Sequence, residues 1–386
     1  MALGTACDGV AREPVTHHDS AGVSIMMSHS PEWSQSERWQ VAADPALSLG
    51  GITGQRAYSF TNVGDAQILA DGRILVTHCS SPPEVRLYRG DGAFIRAFGG
   101  DGSDPGRCRF VLRSWLVGSD TLIVHDPTLG RITRYDIHGA VLDARPLPTG
   151  DEAPVWLHRL ADGRLVGRPN NPQPTTEGRS RATFTYSLLH PGTLQIEPLV
   201  DAAGAEFVVT GDGAQRRVDQ VLFAAFTAAA SRGASIYLSD TRDFWIDEVD
   251  TDGRLIRRFG RDWASERIDR RFVREYTDQR LAAAGPAVRT MRQELGRAVF
   301  ADHLPAHEQT MLVDGSDHLW VLHLPDRRRD ERVWSVFAPD GRWLGELTTP
   351  RRLRVTGIGE DRLIGVWQEG DGQMVRVYEL LKPELQ

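Results

Sequence analysis

Short apolar runs separated by tight turns recur along the whole chain. In residues 71–106, an apolar run at Arg73–His78 follows an Asp-Gly turn, and an alternating run at Glu84–Tyr88 follows two prolines. A third run, Ala93–Gly99, follows a second Asp-Gly turn. Short apolar or alternating runs bounded by such turns are typical of β-strands. This stretch is therefore predicted to form three short strands joined by tight turns.

The turn that precedes the second strand of this unit recurs along the sequence. Its glycine stands at Gly72, Gly118, Gly163, Gly233, Gly315 and Gly359. Three of the intervals are 46, 45 and 44 residues long, whereas the other two, 70 and 82, contain insertions. Four strands in the shorter period are typical of one blade of a β-propeller. The chain is therefore predicted to be an all-β, six-bladed β-propeller.

The two ends of the chain are predicted to meet in one blade. The last repeat has three strands before Gln386, and the segment Trp39–Gly50 has the pattern of a strand that precedes the first blade. An N-terminal strand in the missing fourth position would close the ring and leave no sheet edge exposed. Residues 21–386 are thus expected to form one propeller domain, and the polar residues 1–20 a disordered tether.

The longest interval between repeats contains the helical part of the sequence. Within residues 262–302, apolar residues recur three and four positions apart, and Gly285-Pro286 divides them into two runs. This periodicity predicts a helical hairpin inserted between the fourth and fifth blades. Its arginines alternate with acidic residues, which favours a solvated, salt-bridged face over a nucleic-acid-binding patch.

Composition and charge narrow the choice of partners. The formal net charge is −7, whereas phosphate binding needs a concentrated excess of Lys and Arg, so no nucleic-acid partner is expected. The longest apolar run, Val221–Ala230, is too short to span a bilayer. Membrane contact is expected only through Cys7, whose small-residue context is that of a lipidated cysteine; the alternative is an ordinary N-terminus.

The sequence resembles six-bladed NHL-type β-propeller proteins, which are predicted lipoproteins of bacteria. The resemblance is carried by DSAGVSI at 19–25, ALSLG at 46–50, GGDGSDPG at 99–106, TLIVHDPTLGRITRYDIHG at 121–139 and HLPAHEQTMLVDGSDHLWV at 303–321. It covers nearly the whole chain, and its motifs specify strands and turns rather than chemistry. Members of that group mostly lack an assigned activity. The resemblance implies an extracytoplasmic protein, periplasmic or at the cell surface.

The topology of that group also places two features of this chain. It puts the 262–302 insertion on the face where propellers usually bind ligands, as a helical cap over the channel. It puts Cys79 and Cys108 on that same face in neighbouring positions, and a disulfide between them is predicted. The alternative is a pair of buried free thiols.

Candidate ligand-binding residues emerge when the repeats are aligned on their turns. They are His78, His125 and His323, which end second strands, and Asp126 and Asp240, which follow such ends. Imidazoles at one face predict a site for zinc or a similar ion. Because a single ion cannot reach all three blades, the predicted ligands are His78 and His125, from adjacent blades. The alternative is that these residues tie down the following loops through hydrogen bonds.

Motifs for nucleophilic catalysis and for cofactor binding are absent from the sequence, and its Asp-Gly pairs lack the spacing of a calcium loop. The sequence therefore favours a monomeric binding or scaffolding module that acts through its capped face. Its partner would be a small molecule, a glycan or a protein. The alternative is a metal-dependent hydrolase of the lactonase or phosphotriesterase type, and a divalent metal is the only cofactor suggested.

Overall fold

The computed structural model describes residues 13–51, 54–79, 82–150, 154–169, 173–326, 329–370 and 372–383. Strands form most of the regular structure in these ranges. In chain order the first are β1 (Val15–Ser20), β2 (Val23–Ser28), β3 (Gln40–Val41), β4 (Leu47–Leu49), β5 (Val63–Ile68), β6 (Ile74–His78), β7 (Glu84–Tyr88), β8 (Phe94–Gly99), β9 (Arg113–Val117), β10 (Thr121–Asp126), β11 (Arg131–Asp136), β12 (Val141–Pro146), β13 (Pro154–Arg159) and β14 (Leu165–Pro169). The others are β15 (Gly178–Leu189), β16 (Ile196–Thr210), β17 (Arg217–Gln220), β18 (Thr227–Arg232), β19 (Ser235–Asp240), β20 (Trp245–Val249), β21 (Leu255–Arg261), β22 (Met311–Val313), β23 (Leu319–Leu322), β24 (Glu331–Phe337), β25 (Trp343–Pro350), β26 (Leu353–Ile358), β27 (Arg362–Glu369) and β28 (Gly372–Leu381).

These strands pair into six sheets that follow one another along the chain. Sheet 1 is β5–β8, sheet 2 is β9–β12, sheet 3 is β13–β17, sheet 4 is built on β18–β21, sheet 5 is β22–β25 and sheet 6 is built on β26–β28. Within each of these runs, consecutive strands pair antiparallel. The prediction of an all-β protein made of repeated antiparallel units is confirmed.

The Asp-Gly turns join the strands as the sequence predicts. At the turn between β5 and β6, Gly72 has a φ of 82°, a left-handed conformation that glycine adopts without steric cost. The Gly72 amide donates to the Leu69 carbonyl, and the Asp71 carboxylate accepts from the Arg73 amide at 3.1 Å. Residue types and backbone geometry therefore agree at this turn.

The hydrophobic core lies between neighbouring sheets rather than in one central mass. Each of six buried clusters draws side chains from two successive sheets. One of them combines Val63 and Tyr88 of sheet 1 with Ile364 and Val375 of sheet 6. The first strands of the sheets also contact one another in order, from β5 through β9, β13, β18, β22 and β26 and back to β5. The innermost strands therefore surround a common centre.

The segment Trp39–Gly50 lies beside the last strand of the chain. Leu49 of β4 pairs with Val375 of β28, and Gln40 of β3 pairs with Leu381. Leu49 is 2% exposed and packs in the cluster between sheets 6 and 1. This segment therefore occupies the fourth position of sheet 6, where the sequence pattern placed a strand.

The prediction that residues 1–20 form a disordered tether is wrong for its last part. Val15–Ser20 is a strand that pairs with β2, and β2 runs parallel to β21 at the outer edge of sheet 4. Most side chains of β1 are exposed. An edge strand of this kind is held by backbone hydrogen bonds and does not need apolar side chains. Its polar sequence therefore gave no indication of a strand. Cys7 lies outside the described residues.

Two helices occupy the segment between β21 and β22, where the apolar periodicity predicts a hairpin. They are α1 (Arg270–Ala283) and α2 (Val288–Leu295). The Asp269 carboxylate caps α1 by accepting from the Phe272 amide at 2.8 Å. No residue of either helix is fully buried. The hairpin therefore packs on the surface of the sheets and adds no strand to them.

Candidate binding site at the centre of the sheets

A cavity of about 300 Å³ lies where the innermost strands converge. All six sheets contribute to its lining. Residues of their first strands that line it include Asp65 of β5, Arg113 of β9, His158 of β13, Ala229 of β18, Leu312 of β22 and Arg354 of β26. A ligand in this cavity would therefore contact every repeat of the chain.

Arg113 and Arg354 approach β5 from the strands on its two sides. A guanidinium nitrogen of each donates to the Gly64 carbonyl, at 3.3 Å from Arg113 and 3.1 Å from Arg354. Arg354 also donates to the Val63 carbonyl at 2.6 Å. The register of β5 shifts between Val63 and Asp65, so Gly64 has no partner residue in the ladder with β6. This irregularity in β5 anchors both arginines at the cavity.

Asp65 is the one carboxylate among the described residues that line the cavity. Its two oxygens accept from the Ala66 amide and from the Gln67 side chain, each at 2.9 Å. Burial raises the pKa of Asp65, and Arg113 and Arg354 oppose that rise. Its hydrogen bonds hold Asp65 against its own strand.

Arg168 enters the cavity from the end of β14, beside an aromatic wall. Its guanidinium carbon lies 4.6 Å from the ring centre of Phe226 and 5.4 Å from that of Phe184, within the range of cation–π contacts. Burial lowers the pKa of Arg168. Tyr186 also lines this side, and its hydroxyl donates to the Thr227 carbonyl at 3.1 Å.

His158 is the titratable imidazole of the cavity lining. Burial, with a smaller contribution from the nearby positive charges of Arg113 and Arg168, lowers its pKa to about 4. His158 is therefore neutral at pH 7. The arginines stay charged because a guanidinium cannot lose its proton at any ordinary pH. The described lining thus carries three positive charges against one carboxylate.

The sequence alignment on second strands did not find these residues. Arg113, Arg354 and Asp65 lie on first strands, which that alignment did not consider. Arg168 lies on a second strand, β14, but this strand does not end in a histidine. Two of these first strands carry an arginine, in VLRSWLV and RRLRVTG, but neither context differs from that of a solvent-exposed arginine in an alternating strand. Periodicity does not indicate that such residues from separate repeats meet.

None of the three predicted histidines lines this cavity: His78 ends β6, His125 is the penultimate residue of β10, and His323 directly follows β23. His78 contacts the Pro82 carbonyl at 2.9 Å and the Thr61 amide at 3.3 Å. His323 contacts the Ser335 hydroxyl at 2.8 Å. These contacts match the alternative in which the residue ties down a neighbouring loop or strand.

His125 differs from the other two histidines because its Nδ1 has no hydrogen-bond partner. It is 3% exposed, and burial lowers its pKa to about 4. In the described parts of the chain, no three side chains of His, Cys, Asp or Glu are placed to hold a metal ion together. A site that needs only His78 and His125 stays a prediction.

The two predicted aspartates hold backbone and side-chain partners. The Asp126 carboxylate accepts from the Arg109 amide at 2.7 Å and from the Leu129 amide at 3.0 Å. Asp240 accepts two hydrogen bonds from Arg181, at 2.7 and 2.8 Å. Asp126 therefore ties down the segment that precedes β9 and the turn that follows β10, and Asp240 holds β15 near its start.

The predicted disulfide between Cys79 and Cys108 is absent, because both thiols are free and buried. Each sulfur packs in its own pocket. A side chain at Gly64 would meet the Cys79 sulfur at 2.3 Å, and one at Gly99 would meet the Cys108 sulfur at 3.2 Å. Burial raises the pKa of both thiols, that of Cys108 to about 11. Neighbouring positions in the topology did not bring the two sulfurs into bonding contact.

The helical hairpin packs beside the cavity rather than among its described lining residues. Phe272 and Tyr276 of α1 contact the ring of Phe223 at centroid distances of 5.2 and 5.0 Å. Phe223 lies three residues before Phe226 of the cavity wall. Neither helix is among the described lining residues, and the predicted position of the insertion as a cap over the channel stays a prediction.

Repeated antiparallel sheets arranged around a polar cavity define the β-propeller class of folds, and this chain has that fold. No family model and no curated protein matches the chain. Within the described residues, no helix has the length and apolar character needed to cross a membrane.

Solved structures that resemble this fold have low sequence identity to the chain. A predicted exported protein from Bacteroides fragilis has a TM-score of 0.50 and 11% identity, and covers 92% of this chain and 98% of its own. A member of the DUF4221 family from Bacteroides vulgatus has a TM-score of 0.52 and 8% identity, and covers 90% of this chain and 100% of its own. Identities of this size show a shared fold alone and carry no information on activity.

Proposed function

We propose that this protein is an exported, monomeric six-bladed β-propeller that binds a small ligand at its centre. Support for six blades comes from the six sheets, the six clusters between them and the contacts of the first strands from β5 around to β26 and back. β4 would then be the fourth strand of the last blade, paired with β28. Closure of this kind removes two exposed sheet edges.

One observation carries the binding role: a single cavity is lined from all six sheets and combines hydrogen-bond donors with an aromatic wall. Small-molecule sites are typically concave, mostly apolar and supplied with a few convergent polar groups. The entrance to this site would lie on the face that carries the helical hairpin, with Phe223 linking the two features. The hairpin would border the entrance and contribute to partner recognition there.

The ligand is proposed to be a small molecule, or a terminal group of a glycan or protein, and not a nucleic acid. The net charge of −7 supports this choice. Export is supported by the resemblance to bacterial lipoproteins and by the fold shared with a predicted exported protein. Lipidation of Cys7 would tether the propeller to a membrane without any spanning helix.

A thermal-shift screen with small molecules and sugars tests the binding role. Gln309 is exposed and lines the cavity, so Gln309→Trp should obstruct it without disturbing the core. Compounds that stabilise the wild type should lose their effect on this variant. The matched control is Gln195→Trp, in the exposed turn between β15 and β16, which should leave the shifts unchanged. Compounds that stabilise both variants equally would contradict binding at the centre.

Elemental analysis separates this proposal from a metal-dependent hydrolase. The purified protein is expected to contain no stoichiometric divalent metal. If a tightly bound metal is found and is lost in His125→Ala, the paired-histidine site and the hydrolase become the better account.

A further inference from the structure

The arginines of the cavity differ from the other arginines of the chain in their lack of acidic partners. Arg113, Arg168 and Arg354 form no ion pair with a carboxylate of the described residues, although many arginines elsewhere do. They donate hydrogen bonds to backbone carbonyls, which carry no net charge: Arg113 to Gly64, Arg168 to Pro169 and Arg354 to Val63. The positive charge in the cavity is therefore not balanced locally.

Asp65 does not remove this imbalance. Even when it is ionised, one negative charge faces three positive ones, and its oxygens already accept hydrogen bonds from Ala66 and Gln67. The enclosing strands limit hydration of the guanidiniums, and burial lowers the pKa of Arg354 and Arg168 accordingly. Neither group can become neutral in response, because arginine keeps its proton.

The Arg354 side chain nevertheless stays accessible within the cavity, so it can contact a ligand. Guanidinium groups bind carboxylate and phosphate oxygens through short, charge-assisted hydrogen bonds. The wall formed by Phe226 and Tyr186 lies beside Arg168 and offers packing for an apolar part of the same ligand. The site thus combines charge for one end of a molecule with aromatic surface for the other.

We propose that the central cavity binds a small organic oxyanion, whose carboxylate or phosphate group lies between Arg113 and Arg354 and whose organic part packs against Phe226. This inference rests on the proposed binding function and specifies its ligand class. The negative net charge of the whole protein does not oppose it, since recognition depends on the local field inside the cavity.

Calorimetric titration of the full chain with four probes tests this assignment. The probes are inorganic phosphate, phenyl phosphate, benzoate and the uncharged benzamide. Phenyl phosphate or benzoate should bind saturably, and benzamide at least about tenfold more weakly. Comparison of the first two probes separates recognition of phosphate alone from recognition of an organic phosphate. Benzoate shows whether a carboxylate suffices.

Arg113→Gln and Arg354→Gln should each weaken binding of the anionic probe about tenfold or more. Arg164→Gln is the matched control, because Arg164 is paired with Asp162 in a turn and should not affect binding. Arg354→Lys keeps the charge and should retain part of the affinity. Circular dichroism and a cooperative thermal transition for each variant exclude loss of the fold as the cause.

Two results would overturn the inference. One is an anionic probe that binds Arg113→Gln and Arg354→Gln as tightly as the wild type. The other is a wild type that binds none of the anions, even though a neutral compound from the screen binds and is blocked by Gln309→Trp. In that second case the binding function stands and only the ligand class is wrong. Absence of any ligand that Gln309→Trp blocks would contradict both proposals.

Discussion

Arginines at the centre of the sheets and arginines at the strand turns have opposite surroundings. In four Asp-Gly turns, the arginine two residues after the aspartate pairs with that same aspartate, as Arg164 does with Asp162 at 2.7 Å. At the centre, Arg113 and Arg354 come from different sheets and meet at the Gly64 carbonyl. The turn arginines therefore find their counter-charge in the adjacent sequence. The cavity arginines form no ion pair among the described residues, and their charge is available to a ligand.

A third arrangement, a buried arginine with its own carboxylate, provides the largest expected effect. Arg86 is 1% exposed, and its Nε donates to Glu84 at 2.7 Å. Glu84→Ala should destabilise the fold by about 3–5 kcal/mol, because it leaves a buried guanidinium without its counter-charge. Denaturant unfolding measures this change. Arg56→Gln removes the exposed second partner of Glu84 and should cost less than about 1 kcal/mol. Equal effects of the two substitutions would contradict this distinction.

His125 shows how a buried cationic group behaves when it can lose its proton. Its pKa is about 4, below the ordinary value of 6.5, because burial favours the neutral form. Stability from this residue is complete above pH 6.5 and is lost as the pH falls from there towards 4, since the unfolded chain takes up the proton first. The loss at pH 5 should be about 2 kcal/mol.

Unfolding at pH 7.5 and pH 5 measures this effect in the wild type and in His125→Phe. The wild type should lose about 2 kcal/mol more than the variant over this range. The same pH dependence in both proteins would show that His125 titrates normally. Unlike this histidine, the cavity arginines retain their charge throughout the range.

Removal of one cavity arginine should change the stability of the ligand-free protein only slightly. Arg354→Met loses hydrogen bonds to Val63 and Gly64 but also relieves an incompletely hydrated charge near Arg113. These effects oppose each other, and the net change should lie within about 1 kcal/mol. Thermal unfolding with and without phenyl phosphate measures it. The ligand should raise the melting temperature of the wild type and not that of the variant.

The smallest effect is expected at the turns. Arg164→Ala removes a short ion pair with a half-exposed aspartate, and such pairs contribute about 0.5 kcal/mol or less. Its loss should be difficult to detect by denaturant unfolding and should disappear in 0.5 M salt. A loss of unfolding free energy equal to that of Glu84→Ala would show that the ion pairs at the turns are essential to the fold, which would contradict this expectation.

The same contrast explains what the sequence could predict. Turns such as Asp71-Gly72 depend on adjacent residues, so their spacing predicted the repeated strands and the number of sheets. The strand Val15–Ser20 was not predicted, because this edge strand lacks the apolar side chains by which strands are identified in a sequence. The repeat pattern predicted that His78 lies at the end of a strand. It did not predict the direction of the side chain, which is set by the loop that His78 contacts.

The cavity residues were not predictable for a related physical reason. Arg113 and Arg354 lie 241 positions apart and meet only because β9 of the second sheet and β26 of the last sheet flank the same strand, β5. No local pattern distinguishes them from solvent-exposed arginines in alternating strands. For Cys79 and Cys108 the error was the opposite one, because a contact was predicted that the structure lacks. Their positions in the topology suggested a disulfide, but the two sulfurs pack separately.

The most direct test of the oxyanion site is a crystal structure of the protein soaked in sodium selenate, with anomalous data at the selenium edge. Selenate is a tetrahedral dianion whose position such data reveal. The account predicts an anomalous peak in the cavity, within about 4 Å of the guanidinium groups of both Arg113 and Arg354. Peaks confined to turn arginines such as Arg164, with none in the cavity, would contradict it.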